Sequence, residues 1–265
     1  MRDADALNRR MTMNQPLSQD QIKSFQRDGF VIIRGLYQGD AMAHIKTWVD
    51  EVATYPEVPG KYMMYFEQSC VEPGRRQLNR IENYCPYHAG LDRLLTGPGL
   101  RDAVAQLFDE PAVLFKDKIN FKLPGGGGFT PHQDVQAGWD RYGSLYITAL
   151  ISIDAATRDN GCLELVAGRH REGQLGPSWA QLPDEVTASM EFVPYETAPG
   201  DVAFFDSFTP HRSDANLSDR PRRVLYVTYN RLSEGDQRAR YYADKRASYP
   251  PDCEREPGKQ YVFRV

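Results

Sequence analysis

The period of apolar residues changes along the chain, from helical spacing in the first hundred or so positions to strand-like alternation afterwards. Ser18 with Gln21 predicts a capping box that opens a helix ending at Gly29. FVII, at 30–33, predicts a first strand. Met42, Ile45, Trp48, Val49 and Val52 recur every three or four residues and predict an amphipathic helix over about 40–54. Residues 55–79 carry Pro, Gly and charge and read as loop. Thr96 is the expected cap of a helix running to Phe108, with Pro98 in its first turn.

From 112 onward, short alternating runs are separated by turn residues. In the run at 112–123, Val113, Phe115, Ile119, Phe121 and Leu123 are expected on one face, and Lys116, Lys118, Asn120 and Lys122 on the other. Residues 1–15 predict a mobile tail, and 233–265 a polar C-terminal extension. Neither a linker nor an internal repeat interrupts the chain. The expectation is one domain over 1–265, mainly β with N-terminal helices. Patterning alone leaves a sandwich and a barrel open.

Composition narrows the classes. A chain of 265 residues with 41% hydrophobic content can bury a sizeable core. A formal net charge of −4 argues against a nucleic-acid surface. No apolar run approaches the roughly 18 residues of a membrane span, and the N-terminus has no signal-peptide pattern. Cys70, Cys85, Cys162 and Cys253 show no CxxC spacing and read as reduced thiols, as expected of a cytoplasmic protein. The partner expected is a small-molecule substrate.

The chemistry-bearing signal is HQD at 132–134 with a distant His211 inside TPHRS. Side chains two apart on an extended strand share a face, so His132 and Asp134 can grip one metal ion and His211 can complete a two-His-one-carboxylate set. That set suits Fe(II) in an oxygenase because it leaves coordination positions open. Such an enzyme needs two electrons beyond those of its substrate, and a chelating 2-oxoacid supplies them. The far carboxylate of the oxoacid then needs a cation, best a planar bidentate one. Arg222 lies eleven residues after His211, at the start of the apolar run RVLYVTYN, behind a turn-rich excursion. Ser213, two residues after His211, can add a hydroxyl. PGGGGF at 124–129 lacks the GxxxxGK[ST] pattern and reads as a tight turn close to the metal, not a phosphate loop. His44, His88 and His170 have no ligand partner at suitable spacing and read as structural.

These pieces resemble the phytanoyl-CoA dioxygenase-like branch of the Fe(II)/2-oxoglutarate-dependent dioxygenases. The matching segments are RIENY at 80–84, the run at 116–134, DNGCLELVAGRHR at 159–171, the run at 200–213 and NLSDRPRRVLYVTYN at 216–230. KINFKLPGGGGF and YYADKR are similar to a bacterial subgroup that includes 2-aminoethylphosphonate dioxygenases. One departure is Ala-Gly-Arg-His at 167–170, where the family commonly has Pro-Gly-Ser-His. The resemblance implies a double-stranded β-helix, or jelly roll, with Fe(II) as cofactor and 2-oxoglutarate and O2 as co-substrates. It implies hydroxylation, since related halogenases lack the carboxylate that Asp134 retains. It points Asn120 and Lys118 into the barrel mouth, where they would hold the oxoacid or the substrate.

For the substrate, the resemblance places the segment 80–84 over the metal. Arg80 and Glu82, alternating about Ile81, would offer a cation and a carboxylate to a zwitterion, with Asn83 adding a donor. Trp139, Arg141, Tyr142 and Tyr146 are the candidate opposite wall. The substrate expected is a small polar molecule, with 2-aminoethylphosphonate, hydroxylated at the carbon bearing phosphorus, as the leading case. The alternatives are oxidation of a specialised metabolite and, in a different class, a non-catalytic cupin-like metal protein.

Overall fold

The computed structural model describes residues 17–261; the N-terminal tail expected over 1–15 lies outside them. Helix α1 (Gln19–Asp28) begins as its capping box requires: Ser18 Oγ accepts from the Gln21 backbone N–H, and Gln21 Oε1 accepts from the Ser18 N–H. It ends at Gly29, which is left-handed at φ 85°. A Cβ there would meet His170 Nδ1 and Thr209 Oγ1 at 2.6 Å, so glycine is required on both counts. Then come β1 (Phe30–Ile33), α2 (Gly39–Ala53), β2 (Met63–Gln68) and β3 (Arg76–Glu82). The last two are a correction, because they form a hairpin that occupies much of the stretch 55–79 expected as loop and runs on to Glu82. Their charged, bulged sequence hides the alternation, with a register shift between Tyr65 and Phe66.

Helices α3 (Ala89–Thr96) and α4 (Pro98–Phe108) follow. Thr96 therefore closes one helix rather than capping the next, bonding back to the Asp92 carbonyl, and Gly97 takes the cap position before Pro98. His88 caps α3 through Nδ1, confirming its structural reading.

The rest is strand: β4 (Ala112–Lys122), β5 (Phe129–His132), β6 (Tyr146–Ser152), β7 (Leu163–Leu165), β8 (Val193–Tyr195), β9 (Val202–Asp206), β10 (His211–Ser213) and β11 (Arg222–Arg231), with a single-turn helix α5 (Asp184–Thr187) between β7 and β8. A seven-stranded sheet runs β1-β9-β6-β11-β4-β3-β2 and a four-stranded sheet runs β5-β10-β7-β8. The strand pairings within each sheet are antiparallel, the double-sheet arrangement of a jelly roll.

Alternation sorts the large sheet into two faces. Ile147, Ala149, Ile151, Phe204, Leu225 and Val227 pack against the apolar sides of α2, α3 and α4. Leu150, Ala203, Phe205, Val224 and Tyr226 face the small sheet and meet Leu163 and Leu165. Strand β4 departs from simple alternation. Thr228 opposes Lys116 while Tyr229 opposes Leu114, so Phe115 is bulged out of the ladder. The face expected to run unbroken from Val113 to Leu123 therefore splits. Leu114, Ile119 and Phe121 join the helix-side core, and Phe115 turns to a separate aromatic cluster with Trp139, Tyr142, Tyr146 and Tyr241.

Within the expected polar extension, the described residues include a further helix. Helix α6 (Arg238–Ser248) buries Tyr241 and Tyr242 in that aromatic cluster.

Candidate active site

The pairing of β10 with β5 sets His211 directly opposite His132. Strand β5 ends at His132, and Asp134 begins a short 3-10 turn. Gln133 between them is still extended (φ −116°, ψ 138°), so the i, i+2 relation survives. Its buried side chain points the other way, donating to the Gly173 and Phe208 carbonyls and accepting from the Leu175 N–H. The ligand atoms of His132, Asp134 and His211 lie within 4.8 Å of one another. His132 Nδ1 is 2.6 Å from the Thr130 carbonyl, and His211 Nδ1 is 3.0 Å from the Thr209 carbonyl. A carbonyl only accepts, so each Nδ1 carries the proton and each Nε2 keeps a lone pair for a metal.

Burial, and after it the neighbouring His211, hold the His132 ring neutral well below the usual histidine range. Burial works against the charge on Asp134, but His211 and Lys118 outweigh it and keep the carboxylate below its usual range. Thr148 Oγ donates to Asp134 Oδ2 at 3.2 Å and shares a 2.9 Å bond with Thr228 Oγ. Neither threonine was among the expected site residues. Their signal was one threonine at an inward position of each of two largely apolar strands.

The excursion between β10 and β11 is tied by Asn216, which donates to the Lys122 and Arg220 carbonyls and accepts from Ser218. It returns Arg222 to a place opposite Lys122 on β4, and Lys122 Nζ in turn donates to Ser213 Oγ at 2.8 Å. Arg222, Ser213 and Lys122 thus meet, as expected for the first two and missed for the third. Lys122 is 3% exposed. Burial, then the neighbouring Arg222, push its ammonium down to about 7. Arg222 is 1% exposed, and its Nε has no hydrogen-bond partner. Asn120, buried on the same face of β4, has an unpartnered side-chain oxygen.

Lys118 lies over the Tyr226 ring at 4.4 Å and is pushed down to about 7 by burial and then by Lys116. The glycine-rich segment at 124–128 forms a turn, and it lies against the Ser213 end of the barrel. A Cβ at Gly128 would sit 2.7 Å from the Ser213 carbonyl.

Register also sets Arg80 opposite Asn120 and Glu82 opposite Lys118. Arg80 Nε donates to Glu82 Oε1 at 2.9 Å, with Glu82 fully buried. Asn83 stands apart from them. Its backbone is left-handed (φ 57°), and its Oδ1 accepts from Arg238 in a network around Asp117 on the other face of β4. Trp139 and Tyr146 are core residues, joined by a bond from Tyr146 Oη to the Trp139 carbonyl. Arg141 and Tyr142 do line an open cleft of about 520 Å³, beside Trp179 and α6. Arg169, at the departure from the usual loop sequence, pairs with Glu172.

The model of the phytanoyl-CoA dioxygenase family matches residues 25–224. A 2-aminoethylphosphonate dioxygenase from uncultured bacterium HF130_AEPn_1 is 43% identical over 250 residues, covering 92% of this chain and 93% of that protein. A methylphosphonate hydroxylase from Gimesia maris is 38% identical over 238 residues, covering 89% of this chain and 90% of its own. Among solved structures, EctD from S. alaskensis with 2-oxoglutarate and 5-hydroxyectoine superposes at a TM-score of 0.71 with 21% identity, covering 84% of this chain and 79% of that one. That likeness is one of fold, and it agrees with the double-stranded β-helix expected from the sequence.

Proposed function

We infer that this chain, which belongs to the phytanoyl-CoA dioxygenase family and is an Fe(II)/2-oxoglutarate-dependent dioxygenase, hydroxylates 2-aminoethylphosphonate at the carbon bearing phosphorus. Family membership sets aside the alternative of a non-catalytic cupin-like protein. The substrate reading is supported by the two relatives at 43% and 38% identity, whose names share a phosphonate and differ in the rest of the molecule.

His132, Asp134 and His211 are the residues that would hold the metal. The donor set fits Fe(II): two imidazole nitrogens freed by Nδ1–carbonyl bonds and one carboxylate kept ionised. Iron there supplies the activation of O2 that couples oxidative decarboxylation of the oxoacid to C–H hydroxylation. The balance is substrate C–H plus 2-oxoglutarate plus O2, giving C–OH, succinate and CO2.

The protein's own part is geometric and electrostatic. Arg222, with its unpartnered buried Nε, and Ser213 take the distal carboxylate of the oxoacid. Asn120 and Lys118 face it from β4; turning the Asn120 amide would present its N–H to a carboxylate oxygen. Thr148 orients Asp134. Arg80 and Glu82 lie beyond Lys118 on the substrate side. Asn83, turned to the other face of β4, has no direct part.

The test is to incubate the Fe(II)-loaded protein with 2-aminoethylphosphonate, 2-oxoglutarate and O2, following phosphorus NMR and succinate together. One 2-amino-1-hydroxyethylphosphonate per succinate is expected. Succinate release with the phosphonate recovered unchanged would overturn the substrate and leave the reaction class standing.

A further inference from the structure

Glu82 is surrounded by more positive charge than it can neutralise. Its Oε1 accepts from Arg80 Nε at 2.9 Å and its Oε2 from Lys245 Nζ at 2.5 Å. Lys116 Nζ stands 4.0 Å from Oε2, too far for a hydrogen bond. The side chains of all four residues are at most 12% exposed. Fully protonated, three bases around one carboxylate would carry two positive charges in excess of it, where desolvating an unpaired ion costs several kcal/mol.

Among the described residues, the other nearby acids are turned to other groups. Asp244 accepts from Tyr142 Oη at 2.7 Å, Asp117 on the opposite face of β4 pairs with Arg238, and Asp134 belongs to the metal-ligand candidates. Burial first, and then Lys116 and Arg80 against the pull of Glu82, hold the Lys245 ammonium well below the usual lysine range. Aromatic rings fix the cations where they are. Arg80 lies 4.1 Å from the Tyr65 ring, and Lys116 lies 5.4 Å from Trp139 and 5.7 Å from Tyr241. The site is reachable, because Lys116 and Lys245 both line the 520 Å³ cleft.

We propose that Arg80, Lys116 and Lys245 seat the phosphonate dianion of the substrate, and that Glu82 is the positioning residue that gathers them. This rests on the phosphonate reading above and deepens it. A doubly charged tetrahedral anion supplies the two negative charges the cluster lacks. Glu82, with both oxygens already facing cations, is not the partner of the substrate's ammonium. The amino end instead extends into the cleft toward Tyr142, Trp179 and Tyr249. Helix α6, through Lys245, becomes part of substrate recognition.

The test is calorimetric binding of methylphosphonate and of methanesulfonate, its tetrahedral analogue with one charge fewer, at mildly alkaline pH. Wild-type protein should bind the phosphonate at least about tenfold more tightly than the sulfonate. Lys116→Met and Lys245→Met should each weaken phosphonate binding by about tenfold or more and remove the preference over sulfonate, while Lys245→Arg retains it. Unchanged 2-oxoglutarate binding shows that each variant is folded. Equal wild-type affinity for the two anions overturns the proposal whether or not the variants fold. So does wild-type phosphonate affinity in folded Lys116→Met and Lys245→Met. Selective phosphonate binding without hydroxylation would uphold the seat and defeat the proposed reaction. Hydroxylation with an unchanged KM in both variants would do the reverse.

Discussion

At the scale of single residues, the partnerless Nε of Arg222 is the most telling atom in the oxoacid end of the barrel. A guanidinium at 1% exposure with an unfilled donor is a ready partner for an anion. Arg222→Leu should therefore raise the KM for 2-oxoglutarate by about thirty-fold or more, since truncating one partner of a buried charge pair costs roughly 2–5 kcal/mol. Metal affinity should be unchanged, and an unaltered KM would remove Arg222 from the site. Lys122, beside it, gives a pH signature. Its ammonium is pushed from the ordinary lysine value of 10.5 down to about 7 by burial and by Arg222. Between those two values the unfolded chain holds a proton that the folded chain has lost. Stability from this group therefore rises with pH across that window. Without oxoacid, wild-type Tm should gain on that of Lys122→Met as pH rises from 7 towards 10.5. A difference that stays flat or narrows with pH would contradict the shift.

Among the elements, those legible in the sequence were the ones whose local chemistry agreed with their packing. Helix α1 has both a reciprocal cap and a left-handed glycine end, and both were readable from Ser18, Gln21 and Gly29. The metal-ligand candidates were legible because strand periodicity survives through Gln133 even though β5 stops at His132. The failures have physical reasons. The β2–β3 hairpin mixes inward-facing charge with a bulge, so alternation breaks where the fold continues. One bulge at Phe115 reverses the faces of β4 on either side of it, and a bulge has no composition signal there. Helix α6 buries only two residues, Tyr241 and Tyr242, in an otherwise charged segment, so it read as tail. Lys116, Lys122 and Lys245 were missed because a lysine is ordinarily solvated; only the tertiary fold reveals which ones are not.

In the molecule as a whole, β4 serves as the axis along which the two ligands are separated. Lys116, Lys118, Asn120 and Lys122 follow one another on its inner face, a span of about 20 Å at a strand's rise. The oxoacid residues gather at the Lys122 end, around Ser213 and Arg222. The opposite end is closed by the C-terminal segment. Arg238 pairs with Asp117, Lys245 with Glu82, Tyr65 Oη donates to the Tyr249 carbonyl, and Gly60 N–H donates to Glu254. Removing everything after Gly235 should therefore act unequally on the two ends. Losing the burial of Tyr241 and Tyr242 alone forfeits roughly 3–6 kcal/mol. At about 2–4 °C per kcal/mol for a domain of this size, Tm should fall by on the order of 10 °C. Below the new Tm, calorimetry should find 2-oxoglutarate binding retained, because among the described residues no hydrogen bond or ion pair joins Ser213 or Arg222 to the segment, and methylphosphonate binding lost with Lys245. An unchanged Tm would mean that the segment is not part of the fold. Loss of both ligands together would mean that the barrel cannot keep its two ends independent.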